Sequence, residues 1–469
     1  MSRVKLELFT DLDLHLFVER GIRGGISMIS HRFSSANNKY LDSYDENKPS
    51  KYILYLDANN LYGWAMSQPL PTHGFEWITQ PIDFMEIPDE SDIGYILEVD
   101  MDYPQNLHNL HNDYPLSPET LNVTNDMLSP YCKEIAQEHN LNTNSCTKLV
   151  PNLMNKKGYI VHYRNFKKYV SLGLKVTKIH KVLKFHQRPW LKKYIDFNTE
   201  KRKNAKSLFE KNLFKLLNNA VFGKTMENLR KRTVIDLVQD QKKSKKLVAS
   251  PAFHNFRIIT TDLVSIERKK VSLLLNRQIY IGFSILDISK ILMYNFHYKY
   301  IKSKYDTNAK LLFTDTDSLC YEIVTQDVYE DMQKDLHFFD TSDYPQTHPL
   351  YCEINKKVLG KMKDELSSSL ALEFVGLKPK MYNLKSAEME KKTAKGISKI
   401  IIQQQIRHTD YKETLLCRRR GLAKAKKIAS HNHIVQTVAY QKSTLSPFDS
   451  KRYILQDGIN TLAYGHFKI

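Results

Sequence analysis

The sequence predicts an α+β fold of roughly two to four subdomains, and three observations carry that expectation. Two runs of β-forming residues lie far apart in the chain. One is Lys51-Tyr52-Ile53-Leu54-Tyr55-Leu56-Asp57, too continuous for a surface strand. The other is Leu311-Leu312-Phe313 followed by Leu319-Cys320-Tyr321-Glu322-Ile323-Val324, split by a polar tip that reads as a hairpin turn. Between the two runs stands a helical hairpin opened by Arg188-Pro189-Trp190, with proline suited to a first turn, and an apolar stretch from Ile279 to Tyr300 reads as a buried helix. Finally, 469 residues with 42% hydrophobic content exclude a disordered chain and suffice for several cores.

Charge narrows the partners. There are 70 basic and 51 acidic residues, a net charge of +19. A basic excess that coexists with many carboxylates points to a concave basic surface for a polyanion, nucleic acid first, with a basic protein of no particular partner as the alternative. Cys132, Cys146, Cys320, Cys352 and Cys417 are odd in number and form no C-x-x-C pair, which favours a reducing, intracellular compartment over a structural zinc or a disulfide framework. The most apolar segment, Ile279 to Phe296, is interrupted by Ser284, Asp287, Ser289, Lys290 and Asn295, so it reads as a core helix and no membrane partner is expected. The first seven residues lack the apolar core of a signal peptide, and export is not expected.

In chain order, residues 1–50 contain Gly21-Ile22-Arg23-Gly24-Gly25-Ile26, either a tight turn or a place where backbone approaches backbone or phosphate closely. The strand at 51–57 ends in Asp57, a ligand delivered by a buried strand or the cap of the helix that follows it. Residues 72–186 are mixed, with strands expected at Tyr95–Asp100 and Gly158–Tyr163. In the second arm of the helical hairpin, Leu208–Phe222, the residues Leu213, Leu217 and Ala220 share one face, Lys211, Lys215 and Asn219 another, and Gly223 is placed to end the helix. With Lys203 upstream, that polar stripe is a cradle for a triphosphate or a solvated face. Lys242-Lys243-Ser244-Lys245-Lys246 reads as a loop between strands. Asp315 and Asp317, two residues apart at the hairpin tip, suit a hard cation or a solvated turn. Another strand ends at Tyr382. The segment 384–469, with Arg418, Arg419, Arg420, Lys424, Lys426 and Lys427, reads as a small helical domain facing a phosphate backbone.

Taken in order, these pieces resemble the family B DNA polymerases. Asp57-Ala58-Asn59-Asn60-Leu61-Tyr62-Gly63 is similar to D-x-x-S-L-Y-P, departing at Asn60 and Gly63. Lys215 through Asn219-Ala220-Val221-Phe222-Gly223 is similar to K-x-x-x-N-S-x-Y-G, with Ala220 for Ser and Phe222 for Tyr. Phe313-Thr314-Asp315-Thr316-Asp317-Ser318 matches Y-x-D-T-D-S with Phe for Tyr, and Lys380-Met381-Tyr382 matches K-x-Y. Ile22-Arg23-Gly24-Gly25 resembles the Y-x-G-G segment that joins exonuclease to polymerase, with Ile22 for Tyr. Within the family, Asp57 to Met66 and Leu445 to Leu455 are most similar to protein-primed polymerases of Polinton (Maverick) transposons and related viruses.

The resemblance implies a right hand, with an antiparallel palm sheet, helical fingers and a small thumb. Residues 1–50 would be a linker, 51–97 and 225–383 the palm, 187–224 the fingers and 384–469 the thumb. An insertion at 98–186 would contact a priming protein, and one at about 228–270 would enclose DNA. The implied reaction is attack of a primer 3′-hydroxyl on a deoxynucleoside triphosphate, assisted by two Mg²⁺, or Mn²⁺ in their place, about 3.5 to 4 Å apart. Asp57 and Asp317 would bridge the ions with the Ala58 carbonyl, and Asp315 would stand behind them. Lys203, Lys211 and Lys215 would hold the triphosphate. Asn219 would touch the triphosphate or the nascent pair, with Phe222 beside it lacking the usual hydroxyl. Tyr62 would be the gate against a ribose 2′-hydroxyl. On the DNA side would lie Arg23, Gly24, Gly25, Thr316, Ser318, Lys380 and Tyr382.

Members of the family carry an N-terminal 3′→5′ exonuclease. Only about twenty residues precede Gly21, and Asp11 and Asp13 imitate no more than part of its acidic motif. The expectation is a chain without proofreading, a truncated product or a fragment, acting as a monomer in the nucleus or at a viral replication site. The alternatives are an inactive relic that only binds nucleic acid, and a metal-dependent nuclease, in which the lysines and Tyr62 would have no role.

Overall fold

The computed structural model describes residues 3–143 and 146–469. Its centre is a six-stranded sheet in which Lys51–Ala58 lies between Ser318–Val324 and Met362–Asp364, antiparallel to both. Ala309–Asp315 and then Ser27–Ile29 continue the sheet on one side, and the short strand Phe339–Asp340 closes the other. The run at 51–58 is continuous in the sequence because both of its faces are covered. Tyr52, Leu54, Leu56 and Ala58 enter one core, while Ile53 and Tyr55 enter another. A register shift between Leu311 and Phe313 turns Leu312 and Phe313 toward the second core together.

That second core is closed by a four-stranded sheet of Phe33–Ser35, Ala371–Lys378, Met381–Ser386 and Glu390–Ala394. The first core is backed by the helix Ile279–Tyr294, which runs on as a π-helical stretch, Asn295–Lys302. By length and apolarity this helix could cross a membrane, yet almost all of it is buried inside the molecule. Its polar residues are used internally. Asp287 accepts from the His162 amide at 2.9 Å, and Lys290 Nζ donates to the carbonyls of Leu286 at 2.9 Å and Arg23 at 3.1 Å.

One expected boundary and two expected elements differ in the structure. The boundary at 98 falls inside the strand Ile93–Asp102, which joins Leu70–Ile78, Lys156–His162 and Lys175–Arg188 in a single sheet; backbone pairing thus makes one unit of about 70–188. The 228–270 unit is a separate sheet of Thr233–Val238, Phe253–Thr260 and Leu263–Lys269, but its Lys242–Lys246 run is a helix, Gln241–Val248, capped by Asp240. The C-terminal segment is less helical than its lysine content suggests. After two short helices, Lys399–Gln405 and His408–Leu416, it forms the long hairpin Leu422–His431 and Ile434–Ser443. Asn432 and His433 turn it, both with positive φ, as a two-residue loop of the primed kind requires. Residues beyond this hairpin return to the body: Arg32, fully buried, donates to the carbonyls of Pro447 at 2.6 Å and Gly458 at 2.7 Å, and Arg452 to that of Asn112 at 2.7 Å.

The helical hairpin consists of Lys192–Lys203 and Leu208–Thr225, the second opened by a capping box of Ser207 and Glu210. Gly223 does not end this helix, which runs two residues further. Nor do Leu213, Leu217 and Ala220 form a core face: only Asn218 and Thr225 are buried, and Leu208 and Phe209 stand 75% exposed. Asp11 caps the helix Leu12–Gly21, its side chain accepting from the Asp13 amide at 2.8 Å.

Candidate active site

Strand pairing brings the motif carboxylates together. Ser318 stands opposite Asp57 in the register, and the Ala58 amide donates to the Asp317 carbonyl at 2.7 Å, so Asp57 and Asp317 adjoin at the ends of neighbouring strands. Asp57 does not cap the next helix; Asn60 does, its side chain accepting from the Gly63 amide at 3.2 Å. The turn between the hairpin strands is tight. Thr316 has a φ of +70°, its amide donates to the Ile26 carbonyl at 2.7 Å, and the Asp317 amide donates to the Asp315 carbonyl at 2.9 Å. Gly25 makes this contact possible, because a Cβ there would lie 2.4 Å from the Thr316 side chain.

Electrostatics single out the same pair. Burial, then the charges of Asp317 and Glu365, push Asp57 up to about 8 against the partial relief of Lys363 and Lys215. Burial and the Asp315 charge raise Asp317 as well, with Lys380 and Lys215 opposing. Two partly buried carboxylates side by side are costly when both are ionised, and a divalent cation between them offsets the cost. Together with a backbone carbonyl they fit a hard, oxygen-preferring ion. Among the described residues no group of three or more His, Cys, Asp or Glu side chains is placed to hold a metal ion. Asp315 is different: Lys380 Nζ lies 2.9 Å from it in an ion pair, so its charge is already partly neutralised.

An aromatic pair stands near Asp317. The Tyr62 ring packs on Phe222 of the fingers, with centroids 4.6 Å apart and planes inclined by 34°. Burial and the Asp317 charge push the Tyr62 hydroxyl up to about 12. The two departures in the first motif fit each other: a Cβ at position 63 would meet the Asn60 amide at 2.2 Å, so the folded-over Asn60 requires Gly63. Of the fingers cations, Lys215 is near enough for its charge to act on Asp57 and Asp317. Lys203, Lys211 and Asn219 are exposed on the same hairpin; the charge of Lys211 reaches Lys357 and that of Lys203 reaches Glu353.

Several residues expected on the DNA side are committed elsewhere. The Arg23 guanidinium donates to the Ile160 carbonyl at 2.7 Å and lies 3.8 Å over the Tyr159 ring, tying the N-terminal segment to the 70–188 unit. Tyr382 is buried, stacked on Phe313 with centroids 4.1 Å apart and bonded to the Tyr55 hydroxyl at 3.2 Å; it supports the hairpin from beneath. Ser318 is buried in its strand, and Thr316 is turned against Gly25. Gly24 has open space around it. Lys380 faces Asp315. Sequence reading missed Lys363 and Glu365, whose charges act on Asp57. They belong to a stretch with no motif, and only the pairing of Lys363 with Asp57 across the sheet places them.

Farther out, the thumb hairpin meets the 228–270 sheet at its tip. His433 Nδ1 accepts from the Ile258 amide at 3.3 Å, and its ring lies 5.1 Å from that of Phe256.

The family described as DNA polymerase type B, organellar and viral, matches residues 11–303. No curated protein matches the chain. Among solved structures, the chain is similar to Phi29 DNA polymerase in its complex with primer-template DNA and incoming nucleotide substrates, with 14% identity and a TM-score of 0.54. The orthorhombic crystal form of the same polymerase gives 14% identity and a TM-score of 0.56. In both cases the match covers 94% of this chain and 64% of the Phi29 chain, so this chain spans somewhat under two thirds of that polymerase's length. The fold is thus the right hand, with an antiparallel palm sheet, and the chain belongs to the organellar and viral type B DNA polymerases.

Proposed function

We propose that this chain extends the 3′-hydroxyl of a DNA primer along a template, taking deoxynucleotides from their triphosphates and releasing pyrophosphate. The observation that carries the reading is the meeting of Asp57 and Asp317, with Lys215 near both and Tyr62, packed on Phe222, near Asp317. Asp57 and Asp317, with the Ala58 carbonyl, would hold two divalent cations. When bound, these would lower the pKa of the primer hydroxyl and neutralise charge on the leaving oxygens. Lys215, Lys211 and Lys203 attract and orient the triphosphate, with Asn219 one turn beyond Lys215. Tyr62, fixed against Phe222, leaves room for a deoxyribose and collides with a 2′-hydroxyl. Lys380 holds Asp315 and so keeps the turn that carries Asp317 in place.

The reading extends to a protein primer docked on the 70–188 unit, and to DNA enclosed where the thumb hairpin touches the 228–270 sheet. It also places the protein, as a monomer, in the replication of a transposon or virus within a reducing compartment. Five free cysteines, two of them exposed, suit such a compartment.

Primer extension with Mg²⁺ and four deoxynucleotides tests the reading. Wild-type protein extends a primed template, and Asp317→Asn reduces extension to background while keeping duplex affinity within about twofold. A wild-type protein that binds duplex yet adds no nucleotide would overturn it.

A further inference from the structure

A mostly apolar cavity of about 380 Å³ lies where the helix Leu61–Met66, the π-helical continuation of the core helix and the strand Met362–Asp364 come together. Its apolar walls are Trp64, Leu292, Phe296, Tyr300, Phe338 and Met362. Four of these side chains are aromatic, so the space favours flat rings that stack or meet edge to face. A dry apolar cavity of about 150 Å³ takes up one benzene, and this one has room for two fused rings carrying a polar group. Stretches of π-helix occur often at functional sites.

The polar groups at the cavity lack partners of the right kind. The Asn295 side-chain oxygen is buried with no hydrogen bond, and half a turn of the amide presents its NH₂ there instead. Lys299 also lines the cavity, and its ammonium adjoins that of Lys168, which is only 8% exposed. Burial first, and then Lys299, push Lys168 down to about 8. The acid whose charge reaches Lys168 is Asp89, and it is already held by Arg164 at 3.2 Å and Lys167 at 3.0 Å. Lys361, the third cation, donates to the His337 carbonyl at 2.5 Å.

Two adjoining ammonium groups, one of them buried, are unfavourable without an acid to offset them. A carboxylate brought by a ligand satisfies both through charge-assisted hydrogen bonds. The cavity is also joined to the residues around Asp57. Trp64 shares a helix with Tyr62, and Met362 stands opposite Ala58 in the palm sheet. The Asn59 amide donates to the Lys361 carbonyl at 2.8 Å, and the Gly360 amide to the Asn59 carbonyl at 2.9 Å.

We propose that this cavity binds a small aromatic carboxylate, its rings among Trp64, Phe296, Tyr300 and Phe338 and its carboxylate on Lys299 backed by Lys168, and that occupancy is felt at the nucleotide site. The binding half is independent of the polymerase reading, and the coupling half rests on it.

Calorimetric titration of the DNA-free protein with naphthoate tests the binding. Wild type is compared with the double variant Lys168→Met/Lys299→Gln and with Leu292→Trp, which fills the cavity. Each variant weakens binding by about tenfold or more, and wild type binds the neutral naphthamide more weakly than naphthoate by a similar factor. The double variant melts no lower than wild type, because it loses cations that have no acid, so lost binding is not lost folding. Naphthoate affinity equal in wild type and both variants overturns the proposal, as does a wild type that binds none at millimolar concentration. Loss of naphthoate binding on addition of primer-template also overturns it, because the two ammonium groups then belong to backbone phosphate. In extension assays, saturating naphthoate shifts the KM for deoxynucleotide by about fivefold in wild type and has no effect on the double variant; an unmoved wild-type KM overturns the coupling. The two readings fail separately: naphthoate bound through these residues by a protein that never extends primers keeps the pocket and removes the polymerase, and extension by a protein that binds no naphthoate does the reverse.

Discussion

Asp57 and Asp317 are held side by side by backbone hydrogen bonds and strand register, so their mutual repulsion is imposed by the fold. The hinge of that arrangement is the contact between Gly25 and Thr316. Gly25→Ala forces a methyl group into the Thr316 side chain and should cost about 1 to 3 kcal/mol of stability. It should also lower kcat well before it weakens DNA binding. The double variant Gly25→Ala/Thr316→Gly should regain most of the loss, because glycine removes the side chain and accepts the φ of +70°; steady-state kinetics on both variants check this. Tyr62→Val should relax discrimination against ribonucleotides by about tenfold or more, measured as the ratio of kcat/KM for the two sugars. Asp57, Asp317, Lys215 and Tyr62 were legible as motif residues because each stands at a particular spacing within its motif, and the structure brings them to one place. The internal contacts of Arg23 and Tyr382 were not legible, because a motif does not record what packs on it: a guanidinium can be taken up by a ring and a carbonyl that arrive from far along the chain.

At the scale of elements, the helix Leu61–Met66 shows how two departures from a motif compensate. Asn60 folds its amide over Gly63, which leaves no space for a side chain at 63. Gly63→Pro, which restores the commoner motif residue, should therefore destabilise the protein by about 1 to 3 kcal/mol, since it removes the amide that Asn60 accepts from and places a ring on the Asn60 side chain. Asn60→Ser/Gly63→Pro should be less damaged than the sum of the single changes, by about 0.5 kcal/mol or more in a double-mutant cycle from thermal melts. The thumb hairpin teaches the opposite lesson. Its lysines and alanines favour a helix by propensity, but the left-handed pair Asn432–His433 and the Gly421–Leu445 backbone contacts close it as two strands. The lysines of Leu208–Thr225 sit on a mostly exposed helix, and the apolar face of Leu213, Leu217 and Ala220 in the sequence did not distinguish that from a packed one.

For the whole molecule, Asp113 is where distant segments are fastened. Burial alone would raise it, but the charge and hydrogen bond of His31, with the charges of Lys302 and Arg452, hold it well below the usual carboxylate range. It also accepts from the Leu311 amide at 3.3 Å, in the strand that leads to the Asp315–Asp317 turn. A depressed folded-state pKa gives stability that is complete above the ordinary carboxylate value of about 4 and is lost as pH falls below it. Asp113→Asn should cost about 2 kcal/mol at pH 7, and the gap to wild type should close below about pH 4; denaturant melts across pH measure both. The contact of His433 with Phe256 and Ile258 joins the thumb to the 228–270 sheet. His433→Ala should shorten products made in one binding event while leaving single-nucleotide addition unchanged, and extension in the presence of a trap DNA reads that difference.

The sequence by itself determined the motifs and the family they resemble. A carboxylate at the end of a buried strand, a second on a hairpin tip, a lysine stripe and a tyrosine in the same motif as the first carboxylate are local patterns, because each depends on neighbours within a few residues. Only the tertiary structure decided that Asp315 is paired with Lys380 while Asp57 and Asp317 adjoin, and that the unit expected at 98 begins near 70. Those outcomes depend on strand pairing and burial between residues up to hundreds of positions apart, and no spacing within a motif records them.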